Sequence, residues 1–233
     1  MIRVWNGATW DDASTRVRVA GDWTVPIVES SILPVQSQVV AEGNASTLTA
    51  TFDATPTEGN LLIAVHAARS SSRTYTIPAG WTLNHEHTNN RVRVFSKPAG
   101  ASESASVTVE TSGGTAHQVL AVYEYEGLTE YDVSVEAEAA SATSHTTGTT
   151  GTTTAADTLV VAAVSLDAEY ASWDTGSWTN DFTHSVDIVT PSVGGARCAL
   201  GIALRVAGET GTFSTQTSWS PARASYSIVA AFK

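Results

Sequence analysis

The chain has 233 residues and a formal net charge of −11, with 15% of its residues charged and 42% hydrophobic. That length suits one large all-β domain, or such a domain with a small appendage, and the acidic balance excludes a surface built to neutralise nucleic-acid phosphates. The single cysteine, Cys198, excludes an intrachain disulfide and a cysteine-rich metal site, and its apolar surroundings predict a buried, inert thiol.

Residues 1–34 read as a separate arm and linker. Val4-Trp5-Asn6-Gly7 leads to Trp10, and Val19-Ala20-Gly21 leads to Trp23. Asn6-Gly7 suits a type I′ hairpin turn, because both positions tolerate positive φ. Two hairpins this short cannot bury enough surface to stand alone, so Trp5, Trp10 and Trp23 are candidates for docking on a partner surface. Folding back to cap the chain's own sandwich is the alternative. The N-terminus lacks the basic and apolar regions of a signal peptide, which predicts a protein made in the cytoplasm. No run reaches the roughly 20 apolar residues that cross a bilayer, so no membrane insertion is expected.

From Val35 onward, short runs of alternating or continuous apolar residues follow one another without a helical period. They predict strands near 35–41, 46–53, 60–68, 73–77, 80–84, 91–97, 104–110, 117–126 and 131–138. A second series falls near 145–154, 158–167, 172–179, 182–189, 196–206, 211–218 and 223–232. The two series repeat each other. Leu61-Leu62-Ile63-Ala64-Val65 returns as Leu159-Val160-Val161-Ala162-Ala163, and Gly80-Trp81-Thr82 as Ser177-Trp178-Thr179. Lys97 falls over Arg205, and Tyr123 over Phe232. Four matches in one order imply an internal duplication, with copies at about 46–128 and 145–233. The expected fold is an antiparallel, jelly-roll-like β-sandwich over 35–233, in which both copies interleave, preceded by short hairpins. Segment 141–154 holds eight Thr in fourteen residues and reads as an edge strand or a flexible joint.

Groups with chemical potential are few. His85-Glu86-His87 offers two imidazoles on one side of an extended segment, but no third ligand stands at a definable spacing. Glu124 with Glu126, and Glu136 with Glu138, are paired carboxylates whose ordinary reading is outward-facing strand residues. No GxSxG, HExxH or phosphate-cradling loop is present, so the expectation is a non-enzymatic protein with no cofactor and no metal. Trp81 and Trp178 occupy equivalent places and predict core roles. Trp173 and Trp219 lie among Ser, Thr, Asp and Gly, where an exposed indole could stack on a sugar or a half-buried one anchor a loop. The outer faces of the central strands, with Leu62, Ala64, Val160, Ala162 and Val164, are apolar enough to predict a homo-oligomer, with a trimer among the candidate states.

VWNGATWDDA and VRVAGDWTVP resemble the short "VWNG-x-W" elements of bacteriophage tail proteins, particularly those of phages infecting actinobacteria. LTATFDATPTEGNLLIAV, AGWTL, VRVFSKPAG, SVTVE and LAVYEYEGL look like a β-sandwich module that recurs in minor tail proteins and other virion proteins. The resemblance covers most of the chain and rests on turns and strands, so it implies a fold and a virion setting rather than a reaction. It implies a structural protein, a minor tail protein, with other virion proteins, its own copies and a host-surface glycan as candidate partners. A capsid decoration protein is the first alternative. A carbohydrate-binding module or carbohydrate-active enzyme is the second.

Overall fold

The computed structural model describes residues 32–233 except 71, 168–171 and 194–195, and of residues 1–31 only the backbone of four short strands. The chain divides into two compact units, Met1–Ser31 and Ile32–Lys233. In the first, β1 (Arg3–Trp5) pairs antiparallel with β2 (Trp10–Asp12), and β3 (Arg18–Val19) with β4 (Asp22–Trp23). The side chains of Trp5, Trp10 and Trp23 lie outside the described residues. Ile32 is buried in the core of the second unit, and Leu33 and Pro34, placed with the arm from sequence, already belong to its first strand.

The second unit is all-β, and its two halves share the strand order of one large sheet. The first half runs β5 (Leu33–Ala45), β6 (Thr47–Thr51), β7 (Leu61–Ala68), β8 (Thr74–Thr76), β9 (Thr82–Glu86), β10 (Val92–Pro98), β11 (Ser106–Ser112) and β12 (Ala116–Glu126). The second runs β13 (Tyr131–Thr146), β14 (Thr158–Leu166), β15 (Ser172–Asp174), β16 (Thr183–Val189), β17 (Ala199–Ala207) and β18 (Gln216–Phe232). One sheet has the order β5-β12-β7-β10-β9, and another β13-β18-β14-β17-β16, with β15 on β18. A third, β6-β11-β8, belongs to the first half. Counted from β5, the first half alternates between its two sheets as a jelly roll does, except that its fifth strand has moved to the larger sheet.

Register confirms the duplication strand by strand. Val65 pairs with Val94 and Ala121, and Ala163, 98 residues later, pairs with Ile202 and Ile228. Lys97 does fall over Arg205, opposite Leu62 and Val160 respectively. The partner of Phe232 is Tyr125, however, not Tyr123: Tyr125 pairs with Leu61 and Phe232 with Leu159.

The halves do not interleave. Leu61, Ile63 and Val65 of β7 face Leu159, Val161 and Ala163 of β14 in one core between the two large sheets. Leu62 and Ala64 point the other way, into a second core under β6 and β11, with Leu48, Ala50, Val107 and Val109. Val160, Ala162 and Val164 point into a third, under Trp173, Trp178, Phe213 and Trp219. Each half thus closes its own sandwich, and the two stack through their large sheets. The apolar outer faces expected to drive oligomerisation are covered within the chain, because every central strand is buried on both sides.

The second half lacks a full counterpart of the β6-β11-β8 sheet and replaces it with a threonine ladder. Thr147, Thr150 and Thr153 donate their N–H groups to the carbonyls of Thr215, Phe213 and Gly211, at 2.9, 3.0 and 2.9 Å. Their hydroxyls accept from the N–H groups of the same three residues. Every third residue on one side thus meets every second on the other, a repeated bulge that breaks regular pairing. Gly148 completes the pattern: a Cβ there would come within 2.8 Å of Val135 and 3.0 Å of the Glu136 carbonyl. Thr147, Thr150 and Thr153 are buried, so the segment is an ordered edge of the sandwich rather than a joint.

One position shows how the two sandwiches diverged. Arg93 and Gly201 are equivalent by register, opposite His66 and Val164. The Arg93 guanidinium lies 3.9 Å from the centre of the Tyr75 ring, whereas Trp173 occupies the space over Gly201, where a Cβ would meet its ring at 3.0 Å. Gly201→Val should therefore overpack that core and lower stability by about 1–3 kcal/mol in urea unfolding. Gly208→Ala, with nothing within 4 Å of its added carbon, should be close to neutral.

Candidate functional site

The described residues singled out from sequence make contacts that hold the fold together. Trp173 and Trp219 face each other across β15 and β18, with ring centres 5.3 Å apart, and are 8% and 3% exposed. They present no open indole face, so the expected sugar contact at these residues is corrected. Serine and aspartate neighbours pointed to a loop, but they are the outward-facing half of short strands in which the indoles point inward. Trp178 stacks on Trp173 with ring centres 6.4 Å apart, while Trp81 meets Phe95 edge-on and stays half-buried.

Among the carboxylates, Glu124 is fully buried, not outward-facing. It accepts bonds from the Asn60 amide at 2.6 Å, Thr57 N–H at 2.8 Å and the Gln36 amide at 2.5 Å. Burial works to raise its pKa, but these donors outweigh that and leave it below the ordinary value. Glu126 is exposed, and Glu138 accepts from Asn89. Glu136 accepts from Thr88 N–H at 2.9 Å and lies 3.2 Å from His85 Nε2. His85 Nδ1 reaches Ser134 Oγ at 2.6 Å, and His87 Nε2 reaches the Ala137 carbonyl at 3.2 Å. Both imidazoles of the His85-Glu86-His87 segment thus bridge β9 to β13 of the other half. Among the described residues, no group of three His, Cys, Asp or Glu side chains could hold a metal ion.

Three further features were not read from sequence. The first is a buried polar plug. Arg93, 1% exposed, bonds Glu86 through Nε at 3.0 Å, the Asn90 carbonyl through Nη2 at 3.0 Å, and His66 through Nη1. His66 Nε2 lies 2.9 Å from Gln118 Oε1. Burial and the Arg93 charge hold the His66 pKa well below its ordinary value.

The second feature is a break in the internal symmetry. β5 of the first half lies by β16 of the second, as β9 lies by β13. Register makes Glu136 equivalent to Val39, and His85 to Val186. Where one side is closed by His85, Ser134 and Glu136, the other is open. There a groove of about 320 Å³ is lined by Pro34, Val35, Ser37, Tyr123, Tyr125 and Leu204, and Val39 and Val186 line an adjoining cavity of about 210 Å³. Leu33, Val35 and Val39 are 52%, 47% and 37% exposed. Among the described residues β5 pairs only with β12, and no described strand lies on its other edge.

The third is a polar groove of about 530 Å³ beside the β6-β11-β8 sheet, lined by Trp81, Lys97, Glu103, Ser106, Thr108 and Glu110 among others. Register corrects the match of Trp81 to Trp178. Thr82 and Thr183 stand opposite the equivalent Ser96 and Leu204, and the N–H groups of Trp81 and Phe182 each close a turn on the carbonyl three residues back, so the counterpart of Trp81 is Phe182. Compared with known protein families and curated proteins, the chain matches no family model and no curated protein.

Proposed function

We propose that the chain is a non-enzymatic structural protein of a phage virion, a minor tail protein that assembles through its N-terminal arm and the open edge of β5. The observation that carries this reading is β5 itself. Its stretch Leu33–Ala41 bears no charged residue, in a chain of net charge −11. Solvated edge strands are ordinarily blunted by charges; in this stretch only Pro34 near the strand's start serves that purpose, and the one charge of β5 is the exposed Glu42 beyond it. Two acidic molecules approach most easily at such an uncharged strip. The occupant proposed is a second copy of this chain. An antiparallel pairing of two β5 strands about Ser37 sets Val35 of one against Val39 of the other, and Gln36 against Gln38, so the strip is self-complementary. The two stacked sandwiches and their cross-half bonds suit a rigid load-carrying part, and His85, His87, Glu124 and Glu136 all serve in holding it together.

Val39→Lys should convert a self-associated species to monomer in light scattering at micromolar concentration, with little change in melting temperature. A wild-type chain that is monomeric under the same conditions would count against pairing through β5. The arm is tested separately by deleting residues 1–31, which spares Ile32 and β5. The truncated chain is expected to keep its melting temperature and to be missing from purified particles. Unimpaired incorporation would remove the arm from the proposal.

A further inference from the structure

We propose that the groove beside Trp81 is a binding site for a neutral saccharide. β8 ends at Thr76, opposite Glu110, while β11 begins at Ser106. The chain turns away at Ile77-Pro78, so among the described residues no strand pairs with Ser106 to Val109 of β11 on that side. Residues 77–79, Trp81, Lys97 and the 102–104 segment line the resulting groove, with the Lys97 side chain lying against Gly80. The outward side chains of Ser106, Thr108 and Glu110 line it as well.

The groove has the parts that sugar recognition needs. Trp81 is half-buried against Phe95, at 5.5 Å between ring centres and 77° between planes, and among the described residues no ring stacks on its face. An indole held in this way can receive the C–H face of a pyranose. Lys97 Nζ lies 2.8 Å from Glu103 Oε1, and Gly100 N–H bonds Oε2 at 3.2 Å. Burial pushes the Glu103 pKa up, but these bonds prevail and hold it below the ordinary value. A fixed carboxylate beside a fixed ammonium can accept from and donate to neighbouring sugar hydroxyls. The two charges offset each other, and the exposed Glu110 disfavours an anionic ligand, so the saccharide is neutral.

The second half supplies an internal comparison. There the counterpart of Lys97, Arg205, is turned to the Asn180 carbonyl at 2.8 Å and lies over the Phe213 ring at 5.3 Å. Phe182, which stands where Trp81 does in the first half, is 5% exposed. The duplication therefore kept an aromatic and a cation at both places; in the first half Trp81 and Lys97 both line one groove, whereas the groove of about 400 Å³ beside Arg205 is lined by Thr210, Thr212 and Phe213 and leaves Phe182 buried.

The inference does not depend on virion location, because it is read in the isolated full-length protein. The test is NMR titration with maltotriose, cellotriose, chitotriose, mannobiose and galactobiose, following the tryptophan indole N–H signals. At least one sugar should shift the Trp81 signal saturably. Glu103→Gln should weaken that binding roughly tenfold or more through loss of a charged acceptor, and Trp81→Phe should weaken it as well. Glu209→Gln, in the second half, should leave it unchanged. A Trp81 signal that no sugar moves at tens of millimolar would overturn the proposal, and so would a Glu103→Gln chain that folds and binds as the wild type does.

Discussion

Arg93→Ala is expected to lower stability by about 3–5 kcal/mol, among the largest effects of any single truncation in this chain. Arg93 fills the space between β10 and β8 with its guanidinium over Tyr75, and its donors are taken up by Glu86, Asn90 and His66. Truncation would leave a cavity in a close-packed layer and strand His66 Nδ1 without its partner. Arg93→Met restores much of the volume but none of the hydrogen bonds, so it should fall between alanine and wild type. Urea unfolding of the three proteins ranks them. An alanine variant within about 1 kcal/mol of wild type would mean that the plug is solvated rather than buried.

Acid should destabilise the fold well before its carboxylates titrate. His145 is 2% exposed, with Nδ1 2.9 Å from Ser225 Oγ and Nε2 2.8 Å from Ser227 Oγ. Ser227 donates its own proton to the Ala137 carbonyl at 3.2 Å, so its oxygen accepts from the imidazole. Burial, with a smaller contribution from nearby His87, lowers the His145 pKa to about 4. The pKa values of His66 and His117 are lowered too, by burial first and then by Arg93 and Arg69 respectively. A histidine whose folded pKa lies below its unfolded value near 6.5 takes up its proton more readily when unfolded. Its contribution is therefore present in full above about pH 6.5 and is lost as pH falls towards the folded pKa. For His145 alone the loss between pH 6.5 and 4 is about 3 kcal/mol, at about 1.4 kcal/mol per pH unit. Glu103, Glu124 and Glu136, with lowered pKa values, add their losses only below about pH 4.3. Unfolding free energies at pH 7.5, 6 and 5 should fall steadily, and His145→Gln should flatten the slope. A constant free energy across that range would contradict the buried neutral imidazoles.

The strands and the duplication are legible because central strands buried on both faces carry uncharged, continuous apolar runs, Leu61–Val65 in β7 and Leu159–Val164 in β14. Residue-level register was less so. Tyr123 and Tyr125 stand one strand period apart and face the same core, so a pattern match could settle on either, and only pairing with Leu61 selects Tyr125. The layer count was missed for a related reason. In Val92-Arg93-Val94-Phe95 an arginine on the second face suggests solvent, whereas that face is covered by β8 and its charge is met by Glu86. Likewise, Ser-Trp-Asp at β15 and Ser-Trp-Ser within β18 carry the period-two signature of half-buried strands. Surrounding Gly and Thr concealed it. The threonine ladder has a period of three, which matches neither a strand nor a helix template. The open side of β5 could not be seen at all, since it arises from Val39 and Val186 standing where the other half has Glu136 and His85.

Immunogold electron microscopy of purified phage particles, with antibody raised against residues 32–233, tests the proposed role most directly. Label concentrated at the tail is the expected result. Label confined to the head would replace the tail assignment with a capsid decoration role. Particles that carry no label, from infected cells in which the protein is abundant, would contradict the virion role itself.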